Sequence, residues 1–184
     1  MRVLARPDLQ EADPEQSLVE RAKELSPEAW TEIYDRYFPR MYIYAFHRVG
    51  NSHEAEDIAS QVFLEAVKGI RSFRYRGVRL SSWLYAITRN LCASYLRHQR
   101  RNGTAPVRVD SLEVAGPSEI EAAEARNDLH RALRQLTRKQ QEVLALRFSG
   151  LDTQCIAEVL RTSQGSVKAL QVRALASLRR LMAA

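Results

Sequence analysis

The sequence predicts an all-α fold: two small helical domains, residues 14–101 and 119–184, joined by a linker over 102–118. Three observations predict it. Apolar residues recur at helical spacing along most of the chain, and no run alternates as a half-buried strand does. N-cap residues stand ahead of the apolar stretches, with Pro or Gln at the offsets that start helices. The exception is 102–117, where Asn102-Gly103, Pro106, Gly116 and Pro117 interrupt any periodicity. Each domain is under ~100 residues, so each is expected to hold a modest core of its own.

The elements follow in order. Asp13-Pro14-Glu15-Gln16 starts a helix that runs to about Leu25. Ser26-Pro27 starts a second, with Trp30, Ile33, Tyr34, Tyr37, Phe38, Met41, Tyr42 and Ala45 at helical spacing, ending near Gly50. Ser52 caps a third, with the stripe Ile58, Val62, Phe63, Ala66 and Val67, ended by Gly69. A loop over about 70–80 precedes a helix capped by Ser81 or Ser82 and running from about Trp83 to Arg101. Its core stripe is Trp83, Ile87, Leu91 and Tyr95, at steps of four.

Beyond the linker, Ser118 starts a helix carrying Ile120, Ala123, Leu129, Leu133 and Leu136. Thr137-Arg138-Lys139-Gln140 fits a capping box before Val143, Leu144, Leu146 and Phe148. A short helix from Asp152 to Leu160, a break at Arg161-Thr162-Ser163, and a longer helix from Gln164 to about Met182 complete the chain. Val167, Leu170 and Leu175 are the expected apolar face of that last helix.

Composition narrows the function. Seven glycines and six prolines in 184 residues exclude a low-complexity chain. No apolar run approaches the ~20 residues of a membrane span, so no membrane insertion is expected. The first 16 residues have no apolar stretch, so we expect no secretory signal and a cytoplasmic location. Cys92 and Cys155 stand far apart with no metal-ligand spacing, which leaves no metal or cofactor expected. His47, His53, His98 and His130 sit on separate segments with no carboxylate or cysteine arrangement around them, so no catalytic residues are assigned.

The net charge of +6 hides its distribution. Residues 1–70 hold eight basic and 13 acidic residues, and 102–128 hold two basic and six acidic. Between them, 71–101 hold eight arginines and no acid, and 129–184 hold ten basic residues against three acids. Two cationic blocks separated by acidic segments suggest two contacts with a polyanion.

The second block carries a short helix, a tight turn and a longer helix, the pattern that enters the DNA major groove by the N-terminal end of its second helix. Gln164, Ser166, Lys168, Gln171 and Arg173 are the polar residues there that can meet bases or phosphates. An ordinary helical hairpin with a solvated polar face has the same pattern, and a free-standing regulator would need only this element.

In the first block, Asn90, Ser94, Arg97 and Arg101 are spaced four, three and four apart and share a helix face. The loop aromatics Phe73 and Tyr75 stand among Arg71, Arg74, Arg76 and Arg79. Aromatics interleaved with arginines suit unstacked single-stranded bases with their phosphates paired, so melted as well as duplex DNA is expected.

These residues resemble a family. The chain is similar to bacterial RNA polymerase sigma factors of the extracytoplasmic-function group, over about 20–101 and 119–182. Ala55-Glu56-Asp57-Ile58-Ala59-Ser60-Gln61-Val62-Phe63-Leu64 resembles the polymerase-binding segment. Ser82-Trp83-Leu84-Tyr85-Ala86-Ile87-Thr88-Arg89-Asn90-Leu91 resembles the promoter-melting helix. Leu136-Thr137-Arg138-Lys139-Gln140-Gln141-Glu142-Val143-Leu144 resembles the start of domain 4, and 150–178 its helix-turn-helix.

The resemblance implies roles. Asp57, Ser60, Gln61 and Phe63 would bind core RNA polymerase. Phe73, Arg74, Tyr75, Arg76, Arg79, Asn90, Ser94, Arg97 and Arg101 would melt and hold the minus-ten element on its non-template strand. Gln164, Ser166, Lys168, Ala169, Gln171, Val172 and Arg173 would read the duplex minus-thirty-five element. An anti-sigma factor is a further implied partner. Arg161 stands where the family often has Gly; a left-handed backbone at that position would cost an arginine about 1 kcal/mol.

Overall fold

In the computed structural model, which describes residues 13–75, 78–102, 128–129 and 131–183, the Asp13 carboxylate accepts from the Glu15 N–H at 3.0 Å and opens α1 (Pro14–Lys23). Ser26 caps α2 (Pro27–Val49) by accepting from the Ala29 N–H at 3.2 Å. The Trp30 indole donates back to the Ala22 carbonyl at 3.1 Å and fastens α1 to α2. Helix α2 continues through Pro39, whose missing donor lies on the solvent side, where water can satisfy the freed carbonyl. It ends at Gly50 in the left-handed region.

Helix α3 (Ser52–Gly69) is capped by Asn51, not Ser52: the Asn51 side chain accepts from the Glu54 N–H at 3.1 Å. A 3₁₀ turn over Ile70–Ser72 leads into the 73–79 loop. Helix α4 (Leu80–Arg101) starts earlier than the Ser81 or Ser82 cap implies. Its N-cap is Arg79, which supplies no side-chain cap bond. Ser82 is drawn off instead, buried and donating to Glu158 Oε2 at 2.6 Å.

Helices α2, α3 and α4 surround a core of Ile33, Met41, Tyr44, Ala59, Val62 and Leu84, all fully buried. The α4 stripe Trp83, Ile87, Leu91 and Tyr95 is only half-buried, packing against the margin of that core. The buried centre is Leu80, Leu84, Tyr85, Thr88 and Cys92, one position round the helix. The shift arises because α4 is covered from two sides, by α2–α3 and by the C-terminal helices.

The backbone is helical at 128–129 and 131–135. Thr137 and Gln140 form the reciprocal capping box of α5 (Arg138–Phe148). Asp152 caps α6 (Thr153–Leu160) through the Cys155 N–H at 2.7 Å, and Ser163 caps α7 (Gln164–Met182) through the Ser166 N–H at 3.2 Å. On α7 the buried positions are Val167 and Ala174; Leu175 faces solvent, contrary to the expected face. The expected linker 102–118 and the start of the helix after it lie, beyond Asn102, outside the described residues.

The two helical groups share one large apolar core, and a second, smaller cluster of Leu136, Leu144 and Ala174 lies within the C-terminal group. Val143, Leu146, Leu151, Ile156 and Val159 pack in the same cluster as Tyr44, Leu84 and Tyr85. The Tyr85 hydroxyl donates to the Ser149 carbonyl at 2.9 Å, and the His47 and Phe148 rings lie 5.8 Å apart.

Arg161 adopts φ 51°, ψ 52°, the left-handed conformation between α6 and α7. The expected outcome for Arg161→Gly is therefore a gain of about 1 kcal/mol, or a Tm rise of about 2–4 °C for a chain of this length. Thermal unfolding followed by circular dichroism checks it, and an unchanged or lower Tm would contradict it.

Burial pushes the Cys92 thiol up from its ordinary value of 9.0 to about 12. The unfolded chain therefore loses this proton first as pH rises, so folding stability is full below pH ~9 and falls between there and about 12. Desolvation raises the buried Tyr44 and Tyr85 hydroxyls too and adds to the fall. Unfolding free energies from urea titrations at pH 8 to 11 should fall above pH ~9, by about 1.4 kcal/mol per pH unit for each titrating group.

Candidate nucleic-acid interface

The 22-residue α4 presents Asn90, Ser94, Arg97 and Arg101 on one exposed face, as their spacing predicts. The Arg97 guanidinium donates to Ser94 Oγ at 2.9 Å, so a neutral partner orients it and its charge is left uncancelled. No acid stands on this helix, and exposed cations on a rigid scaffold suit phosphates.

The loop before α4 is held at both ends. Phe73 is buried, its ring 4.9 Å from that of Trp83, so it offers no face to a base. Its aromatic character is used in the core, which spacing in a loop does not reveal. Arg74 is exposed. Tyr75 is half-buried and donates its hydroxyl to Asp13 Oδ2 at 2.6 Å, with Glu15 Oε2 at 3.2 Å as the second acceptor in reach. Donation to Asp13 keeps the Tyr75 proton on and moves its pKa well above the ordinary phenol value, while the same bond lowers that of Asp13. Arg76 lies outside the described residues. Arg79 donates to Asp152 Oδ2 at 2.7 Å and to Cys155 Sγ at 3.2 Å.

On α7, Gln164, Ser166, Lys168, Ala169, Val172 and Arg173 are exposed. Gln171 is half-buried and its Nε2 is buried without a hydrogen-bond partner. The turn and the first three turns of α7 line a groove with Thr162, Gly165, Ser166, Ala169 and Arg173, and Lys139 of α5 closes one side.

On α3, Asp57 and Ser60 are exposed, and Gln61 donates to Glu65 at 2.9 Å. Phe63 is buried, with its ring 4.9 Å from Tyr34 and 6.1 Å from Phe38. It supports the surface from beneath. Leu64 and Val67 are the exposed apolar residues of that helix.

Five acids are brought to the arginine block, and two of them, Asp13 and Asp152, cap helices as well. Asp13 and Glu15 meet the loop. Glu142 pairs with Arg89, Asp152 with Arg79, and Glu158 accepts from Ser82. The last three are the only acids of residues 129–184. That scarcity was the signal in the sequence, but it named no partners. The Cys155 N–H, as capping donor, and then Arg79 hold the Asp152 carboxyl below the usual carboxylate range.

Among the described residues no group of three His, Cys, Asp or Glu is placed to hold a metal ion, and no helix is long and apolar enough to cross a membrane.

Residues 33–102 match the family Sigma-70 region 2, and residues 126–178 match Sigma-70, region 4. The ECF RNA polymerase sigma factor BldN of Streptomyces coelicolor is 36% identical over 170 residues, covering 90% of this chain and 64% of BldN. The ECF RNA polymerase sigma factor SigM of Mycobacterium tuberculosis is 32% identical over 156 residues, covering 84% of this chain and 77% of SigM. In fold, the chain resembles the sigma factor RpoE of Bartonella quintana, solved with the anti-sigma factor NepR: TM-score 0.67, 22% identity, 84% of this chain and 97% of that one.

Proposed function

Because this chain belongs to the ECF group of RNA polymerase sigma factors, we propose that it binds core RNA polymerase and directs promoter recognition, DNA melting and transcription initiation. One observation carries the reading: the chain exposes two separate cationic surfaces of different kinds. The Asn90–Arg101 face and the loop at Arg74 suit single strands, and the start of α7 suits a duplex groove.

On this reading residues 14–101 act as sigma domain 2, 102–118 as the linker and 119–184 as sigma domain 4. Asp57, Ser60 and Gln61 on α3 meet the polymerase. Asn90, Ser94, Arg97, Arg101 and Arg74 hold the non-template strand of the minus-ten element. Gln164, Ser166, Lys168, Ala169, Gln171, Val172 and Arg173 read the minus-thirty-five element. No covalent step belongs to the protein: binding energy to unstacked bases and phosphates offsets the opening of the duplex, and the polymerase performs the synthesis. The work is cytoplasmic. An anti-sigma partner fits the reading as well, since RpoE of B. quintana was solved with one.

Run-off transcription with purified core RNA polymerase and promoter fragments tests this. A promoter-dependent transcript that requires the chain is expected. Absence of both transcript and polymerase binding would overturn the reading, and a duplex site bound without polymerase would favour a free-standing regulator.

A further inference from the structure

The first helix does more than extend the fold. Glu15, on the first turn of α1, gathers donors from three other parts of the chain. Its Oε1 accepts the Leu80 N–H at 3.0 Å and lies 3.4 Å from the Tyr37 hydroxyl of α2. Its Oε2 is 3.2 Å from the Tyr75 hydroxyl, whose shorter bond at 2.6 Å goes to Asp13.

The Leu80 contact is the informative one. Leu80 is the first residue of α4, and the N–H groups of a first turn have no partner within their own helix. The residue at the N-cap position, Arg79, cannot supply one, because a guanidinium donates hydrogen bonds and accepts none. Glu15 therefore supplies the cap from 65 residues upstream. Its negative charge also sits at the positive end of the α4 dipole. The same carboxylate and its neighbour Asp13 hold Tyr75, which stands on the loop five residues before α4 begins.

We propose that Glu15, assisted by Asp13, is a positioning residue for promoter opening: it fixes where Tyr75 and the start of α4 stand relative to each other, and so shapes the surface that captures the melted strand. The inference rests on the promoter-opening reading above. It assigns a task to an acidic N-terminal segment that would otherwise oppose DNA: two of its carboxylates, Asp13 and Glu15, are spent on loop and helix donors.

The test uses full-length protein in holoenzyme with core RNA polymerase, on a promoter fragment selected with the wild type. Open-complex formation is measured on the duplex fragment and on the same fragment carrying a non-complementary bubble at the minus-ten element. Hydrogen exchange at the Leu80 amide reports the cap directly. In E15A, Leu80 exchange is expected to speed up at least tenfold, and open-complex formation to fall at least tenfold on duplex and on bubble. Affinity for core polymerase and for a duplex minus-thirty-five fragment should stay within twofold. E15Q keeps a carbonyl acceptor for Leu80 and is expected to recover to within about threefold of wild type. The surface variant E20Q, on the same helix, should behave as wild type.

Open-complex formation by E15A within twofold of wild type would overturn the inference. So would an equal loss in all three activities, or a failure of E15Q to recover relative to E15A, since either marks a residue that merely stabilises the fold. If wild type itself neither binds polymerase nor opens DNA, it is the promoter-opening reading that fails.

Discussion

Replacing Glu142, Asp152 and Glu158 together by their amides is expected to undock the C-terminal helices from α4. The three carboxylates make the polar contacts to Arg89, Arg79 and Ser82. They differ in weight. The Arg79–Asp152 pair is exposed on both sides, 41% and 54%, and such pairs contribute about 0–1 kcal/mol. Glu142 is only 15% exposed, so its attraction to Arg89 is less screened by water. Glu158 makes a charge-assisted bond of 2.6 Å to the buried Ser82. Together they are worth roughly 2–4 kcal/mol of docking, about a 30- to 1000-fold shift between docked and undocked chains.

The amides preserve the local folds: Asn caps a helix about as well as Asp, so α6 keeps its start. Cys155 reports the outcome. It is buried at this junction, whereas Cys92 is buried inside the first helical group. Alkylation of Cys155 in the triple variant should quicken at least tenfold while Cys92 stays protected. Raising salt should move the wild type the same way, because exposed pairs are screened. Unchanged Cys155 reactivity in both experiments, with helix content intact, would show that the shared apolar core and the buried Tyr85–Ser149 hydrogen bond hold the groups together without the carboxylates. Undocking also releases Arg79 and Arg89, so that all the charge of the 71–101 block becomes available to phosphates.

The second large effect is a division of labour between the two surfaces. Lys168→Ala, at an exposed position on the second turn of α7, is expected to weaken duplex binding about tenfold and to reduce the salt slope by about one charge. Arg97→Ala removes a charge from the α4 face and is expected to lower open-complex formation about tenfold, with duplex affinity unchanged. A pre-melted template separates them: Arg97→Ala keeps its defect there, because the single strand must still be held, and Lys168→Ala keeps its defect only where the duplex element is present. Equal effects of both variants on a pre-melted template would contradict the division.

Much of the architecture was legible in the residues. The capping box at Thr137–Gln140, the Ser26, Asp152 and Ser163 caps and the left-handed Gly50 follow from rules that act over three or four residues. The exposed faces of α4 and α7 follow from helical periodicity alone. The burial of Phe63 follows from its place on the α3 stripe, but the environments of Phe73 and Leu175 did not follow. Periodicity and composition say that a face or loop is apolar, but not which neighbouring element covers it. Phe73 is taken up by Trp83 and Phe63 by Tyr34 and Phe38, while Leu175 is left to solvent because Ala174 occupies the contact.

The sequence by itself determined the helices, their order, the two cationic blocks and the family. It did so because each depends on local spacing or on a charge count. Only the tertiary structure decided what becomes of the acids. Asp13 and Glu15 meet Tyr75 and Leu80 across about 60 residues, and Glu142, Asp152 and Glu158 reach Arg89, Arg79 and Ser82 across 53–76. A carboxylate has no periodicity to declare its partner: its role is set by whichever donors the packing of distant helices brings within about 3 Å.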